Sequence, residues 1–214
     1  MKFGIDVSKW QGNFNMQRAK SEGVEFAIIR AACHTVKDSE FEDNFVKAEK
    51  AGIHTGAYIY AMDETPESAI ATAKWLHEHC LKGKKFDFPI YYDVEDNKII
   101  GTGKKNIIAT VKAFCSTLEK LGYFVGVYAS LSQFKTNLDS PDIKKYTAWV
   151  AAWQQNNPVN LDGFSIGLWQ FGGEINPLRS TKIAGVTCDQ DYAFIDFPSL
   201  IKLTGRNGYK GVKK

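Results

Sequence analysis

Residues 89–129 read PIYYDVEDNKIIGTGKKNIIATVKAFCSTLEKLGYFVGVYA. Two apolar runs, Pro89–Val94 and Phe124–Ala129, flank a stretch of a different period. Between them, in Asn106–Leu121, the apolar residues Ile107, Val111, Phe114, Leu118 and Leu121 recur every three or four positions. An α-helix would carry them on one face, and Gly122 supplies a stop. The flanking runs are almost continuously apolar, as strands buried on both faces are. Strand, helix, strand in this order demands a parallel pair joined by a right-handed crossover.

The same unit repeats upstream. Phe3–Val7, Phe26–Ala32 and Thr55–Tyr60 read as strands, alternating with helices at Asn15–Glu22, Glu40–Lys50 and Pro66–Leu81. Thr65 offers the last of these a cap and Pro66 suits its first turn. Downstream of Ala129 the rhythm changes. Thr147–Trp153, Ile166–Phe171 and a weaker candidate, Thr187–Tyr192, follow through short connections such as Leu131–Leu138 and Asn156–Gly163. A barrel of eight equal β/α units needs about 250 residues, and this chain has 214. The fold class is therefore α/β: a single shortened β/α barrel whose second half has lost or shortened its helices. No linker or composition break falls inside residues 1–200. The barrel is assigned residues 1–203, and Thr204–Lys214 reads as a loose basic tail or the start of a linker.

Composition narrows the function. At 44% hydrophobic residues the chain can build a full core, and a net charge of +3 is too mild to argue for nucleic acid. There is no arginine-rich or aromatic-interleaved patch of the kind single-strand binders use. No apolar run is long enough to insert in a membrane, and MKFGIDVSKW does not resemble a signal peptide. The expectation is a protein made in the cytoplasm that leaves, if it does, without a cleaved leader. Cys33, Cys80, Cys115 and Cys188 form no CxxC pair, which disfavours zinc, and read as reduced structural thiols. The four histidines accompany no serine or cysteine nucleophile motif. No metal and no cofactor are expected.

The acids carry the chemistry. Asp6 interrupts an apolar strand, Asp93 and Glu95 close another, and Asp191 sits in the last. Ionised groups in buried strands cost several kcal/mol unless paired or solvated. A barrel resolves this at the carboxyl end of its strands, where side chains from different strands converge. Residues two apart on a strand share a side and lie about 6.5–7 Å apart along it. Asp93 and Glu95 therefore face one cavity, while Val94 packs outward. Two neighbouring carboxyls cannot both ionise freely, so one keeps a proton it can donate. Cleavage of an acetal needs that acid, with negative charge near the developing cation. A helix cap, a salt bridge or an oxygen-ligated magnesium or calcium site remain alternatives for these acids. Aromatic residues gather on the same strands. Most suit a barrel core, while Tyr60, Trp153 and Gln170, near strand ends, suit a sugar-binding cleft.

Taken in order, seven segments resemble glycoside hydrolase family 25, the lysozymes of phage endolysins, bacterial autolysins and some fungi. They are Gly4–Gly12, Phe26–Ala31, Gly56–Tyr60, Tyr92–Glu95, Trp149–Trp153, Leu168–Phe171 and Asp189–Asp191. The resemblance implies a barrel with eight strands and about five helices. It implies peptidoglycan as partner and the β-1,4 bond between N-acetylmuramic acid and N-acetylglucosamine as target. It also implies Glu95 as general acid and Asp93 as the group orienting the substrate 2-acetamido, whose oxygen attacks the anomeric carbon. Asp6 and Asp191 would support them, with Tyr58, Tyr60, Tyr128, Trp153 and Gln170 lining the cleft. The short Asp93–Glu95 spacing suits this net-retaining route and leaves little room for an inverting enzyme's water. Peptidoglycan together with the missing leader suggests release through a phage-type pore. A C-terminal cell-wall-binding module, which many such lysins carry, is not visible in this chain. Two other readings stay open: a sugar-binding barrel without catalysis, and a metal-dependent enzyme on the same barrel.

Overall fold

The structure is a computed structural model that describes residues 1–153, 160–172 and 182–211. Eight strands close into a barrel: β1 (Lys2–Val7), β2 (Phe26–Cys33), β3 (His54–Tyr60), β4 (Ile90–Asp93), β5 (Val125–Ser130), β6 (Thr147–Ala151), β7 (Ile166–Gly172) and β8 (Asp189–Ala193). Each pairs with the next, and β8 returns to β1. All neighbours are parallel until β8, which runs antiparallel to both β7 and β1. The shortened barrel expected from the sequence is the fold observed.

Among the described residues, five helices of six or more residues pack outside or beneath it: α1 (Met16–Ser21), α2 (Phe41–Ala51), α3 (Pro66–Leu76, extended by a π turn over His77–Leu81), α4 (Lys104–Lys120) and α5 (Phe197–Thr204). Thr65 and Ser68 cap α3 reciprocally. Beyond β5 the described connections hold only single-turn helices and a two-stranded ribbon of Lys182–Ile183 with Val186–Thr187. No described helix is long and apolar enough to cross a membrane.

The period-two alternation sorts each strand between two cores. On β4, Tyr91 points into the barrel with Phe26, Phe88, Trp149 and Leu168. Tyr92 and Val94 point outward to the helical layer, where Tyr92 stacks on Phe114 at 4.0 Å between ring centres. The interior is full enough that strand glycines are required. A Cβ at Gly126 would run into the Tyr91 ring, and one at Gly4 into Phe26.

The amino end of the barrel is plugged by the segment that sequence assigned to a loose tail. Residues 204–211 are docked. Asn207 is fully buried: its amide donates to the Phe88 carbonyl at 2.8 Å and its side-chain oxygen accepts from the Phe124 amide at 2.7 Å. The Tyr209 hydroxyl donates to Asp87 at 2.8 Å, and Arg206 donates to the carbonyls of Glu119 and Tyr123. Backbone groups at the strand starts need partners away from water, and a polar segment supplies them. Docking by hydrogen bonds leaves no apolar period to read. Residues 212–214 lie outside the described set.

Candidate active site

At the carboxyl end, the strands hold open a crevice of about 190 Å³ lined by Asp6, Arg30, Tyr58, Tyr60, Asp93, Glu95, Tyr128, Trp149, Gln170 and Asp189. Of four larger hollows, of about 330 to 500 Å³, one is lined by two carboxylates, Asp139 and Asp162, and there Lys144 pairs with Asp139 at 2.8 Å. The acids therefore mark the site better than volume does.

The pleat that buries Tyr91 inside and Tyr92 outside brings Asp93 inside again at the top of β4. Glu95 follows one repeat later, at the rim. Asp93 is 4% exposed, and its Oδ1 has no hydrogen-bond partner. Glu95 is exposed. Burial raises the Asp93 carboxyl well above its usual range, and the neighbouring Glu95 and Asp96 raise it further, while Arg30 pulls it down. Glu95 is also raised by the protein around its carboxyl, while the neighbouring Tyr128 hydroxyl acts against this. The two titrate as a pair. Burial works against a charge on Asp93 in particular. Its ionised form depends on Arg30 and on any donor a bound molecule brings.

Gln170 organises the opposite wall. Its oxygen accepts from the Tyr128 hydroxyl at 3.0 Å and from the Trp153 indole at 3.1 Å, while its nitrogen donates to Asp6 at 2.8 Å. An indole N–H can only donate, so it sets the amide orientation. The Tyr60 hydroxyl donates to Asp96 at 3.2 Å, which fixes the ring beside the acid pair. Trp153 keeps 39% of its surface exposed. It offers an aromatic face at the rim.

Asp191 does not line this crevice. It is fully buried, with the Trp149 indole donating to it at 2.7 Å. Because β8 runs antiparallel, its first residue is its highest: Asp189 pairs with Asp6 at the mouth, while Asp191 pairs with Gly4, a layer lower. Asp191 Oδ2 is buried without a hydrogen-bond partner among the described residues, and its charge raises the Asp6 carboxyl. Burial raises both, and Asp189 adds its charge. Sequence reading named Asp191 where the lining acid is Asp189, although it quoted both.

Arg30, Trp149 and Asp189 complete the lining beyond the residues expected. Arg30 breaks an apolar strand just as Asp6 does, so the signal of a charge inside a buried strand finds it when applied to cations as well as acids. Among the described residues, no group of three His, Cys, Asp or Glu side chains is arranged to hold a metal ion. The four cysteines are free thiols.

With that geometry in view, the match to a family model is decisive: residues 5–176 fit the model described as glycosyl hydrolases family 25. The chain belongs to glycosyl hydrolase family 25. The acid-lined crevice is the candidate active site of this family 25 member. It is 28% identical over 207 residues to Lysozyme M1 of Streptomyces globisporus, covering 88% of this chain and 65% of that protein. The chain thus spans just under two thirds of that relative's length. A bacterial lysozyme structure from Streptomyces coelicolor superimposes with a TM-score of 0.79 at 25% identity, covering 95% of this chain and 96% of the other. The modular autolysin LytC of Streptococcus pneumoniae, solved in complex with a synthetic peptidoglycan ligand, gives a TM-score of 0.77 at 25% identity. That match covers 89% of this chain and 46% of LytC.

Proposed function

We propose that this chain is a muramidase that hydrolyses the β-1,4 bond between N-acetylmuramic acid and N-acetylglucosamine in bacterial peptidoglycan. The observation that carries the reading is the Asp93–Glu95 pair, one acid deep and unpartnered, the other at the rim of the same crevice. Lysozyme relatives and a neighbour bound to a peptidoglycan ligand supply the substrate class.

Glu95 is the general acid. It stands where solvent and a departing sugar oxygen can reach it, and its raised pKa keeps a proton available for that oxygen. Asp93 receives the N–H of the substrate 2-acetamido group, which turns the acetamido oxygen toward the anomeric carbon. That N–H approaches the crevice side of the Asp93 carboxyl, gives it a further donor, and so favours its charged form in the complex. Asp6, held by Gln170, and Asp189 add negative charge opposite the developing cation. Asp191 lies a layer below them, held by the Trp149 indole, and adds its influence on Asp6 from there. Tyr58, Tyr60, Tyr128, Trp153 and Gln170 shape the cleft. A crevice of about 190 Å³ falls below the usual range of about 300–1,000 Å³ for ligand pockets. The remaining rings of the glycan lie along the rim, with Trp153 as a stacking face.

Two displacements in sequence, first by the acetamido oxygen and then by water, give net retention. Mass spectrometry of borohydride-reduced digests of purified cell wall tests the bond. New ends reduced to muramitol are expected, and glucosaminitol ends would overturn the assignment. Proton NMR of the first anomer released tests retention, with the β-anomer expected.

A further inference from the structure

Among the described residues the crevice collects four carboxyls, Asp6, Asp93, Glu95 and Asp189, with one cation, Arg30. Arg30 is held from behind. Its Nε donates to Asp38 Oδ2 at 2.7 Å, and the Asp38 side chain is 1% exposed. Asp38 also accepts the backbone amides of Lys9 at 3.1 Å and Glu40 at 2.9 Å. These amides come from two separate loops, so the carboxylate is locked in place before Arg30 is counted. Among the described residues only Nε of the guanidinium is engaged. Among the described residues no protein group takes Nη1 or Nη2, although a carboxylate partner commonly binds both edges of an arginine fork. Asp38 thus anchors the side chain without consuming its terminal donors or, being one charge among several, the reason for having a cation here.

We propose that Arg30, clamped by Asp38, is the positioning residue that draws Asp93 toward its charged form, which the substrate N–H completes, and so divides the roles of the two acids. The proposal rests on the muramidase reading for its kinetic consequence, though not for its electrostatic one. Asp93 faces Asp6 on β1, Arg30 on β2, Tyr58 and Tyr60 on β3, Glu95 and Asp96 beyond its own strand, Tyr128 on β5 and Asp189 on β8. Every charged group in that set except Arg30 is an acid, and the tyrosine hydroxyls stay neutral because burial raises them. Burial alone would leave the proton on Asp93, where it would block acceptance of the acetamido N–H. Arg30 acts against burial, and Glu95 at the rim is left as the donor. Arg30 forms no bond with the substrate in this scheme. It acts through Asp93.

The test compares wild type with Arg30→Gln and Arg30→Lys. Carboxyl ¹³C NMR of the ligand-free protein reads the Asp93 titration directly, with Asp93→Asn identifying the resonance. In Arg30→Gln the Asp93 midpoint should move up, and the acid limb of kcat against pH should move up with it. The loss should reach roughly tenfold at the acid end, the scale expected when an opposite charge is removed from a carboxylate, with KM little changed. Arg30→Lys restores the charge and should recover most of both. Asp38→Asn keeps one acceptor oxygen, enough for the Glu40 amide, and loosens the guanidinium by giving up the other. It should shift Asp93 in the same direction by less, and it covers the case in which Arg30→Gln does not fold. An Asp93 titration and acid limb unmoved in these variants would overturn the proposal, as would a uniform loss at all pH that Arg30→Lys does not repair. If Asp93 moves as expected but the wild type releases no muramic-acid ends, the muramidase reading fails and the role of Arg30 stands.

Discussion

The two ends of the barrel treat the same side chain in opposite ways. At the amino end, Asp87 accepts from the Tyr209 hydroxyl at 2.8 Å, contacts His54 at 2.8 Å and pairs with Lys202 at 3.1 Å. These partners outweigh its partial burial and pull its pKa down to about 2. At the carboxyl end, Asp6, Asp93 and Asp191 are buried with too few donors and too many like charges, and their pKa values rise. Burial is common to both ends, so burial does not decide the outcome. Partners do. A carboxylate that holds the fold together is saturated with donors, whereas one kept for chemistry is left wanting them, and the fold carries the cost.

The largest effect that would sharpen this contrast is on turnover. Glu95→Gln should fold normally and lose about 10²–10⁴-fold in kcat on purified cell wall, the usual worth of a general acid. Asp93→Asn should lose about 10²–10³-fold, as removal of one preorganised charge partner does, while gaining stability. The sign follows from linkage. A carboxyl whose pKa is higher folded than unfolded binds its proton more tightly when folded, so it destabilises increasingly as pH rises above the unfolded value of about 3.9. The gain in Tm should thus appear at pH 8 and vanish near pH 4. A fall in Tm at pH 8 would break the contrast.

At the other end the effects should be on stability alone. Asn207→Ala orphans the Phe88 carbonyl and the Phe124 amide and should cost about 2–3 kcal/mol in denaturant melts, with the folded protein keeping its turnover. Asp87→Ala should cost about 1–2 kcal/mol at neutral pH, on the scale of hydrogen bonds to charged groups. Here the linkage runs the other way, because Asp87 is lowered on folding. Its contribution is complete above about pH 4 and is lost as pH falls toward 2. Wild type and Asp87→Ala should therefore converge in Tm as the solution is acidified through that window.

What was legible in the sequence follows from what each element buries. Strands β1 to β7 are apolar on both faces, so their composition announces them, and the alternation through Tyr91, Tyr92, Asp93, Val94 and Glu95 tells which acids share a side. The direction of β8 is not written in its residues. It depends on how the preceding connection returns, and that choice places Asp189 at the mouth and Asp191 below. The docking of residues 204–211 is equally silent, because Asn207 and Tyr209 are held by hydrogen bonds to backbone and to Asp87, partners far away in the chain. Arg30 was visible as a charge inside an apolar strand. Its meaning needed the acids of β1, β4 and β8 brought around it.

A carboxyl ¹³C titration of the ligand-free protein bears on all of this at once. Asp87 should remain charged down to about pH 2, while Asp6, Asp93 and Asp191 should still hold protons well above the ordinary carboxylate range. Four resonances titrating together near the unperturbed value of about 3.9 would contradict the division of the barrel into a saturated end and a reactive one.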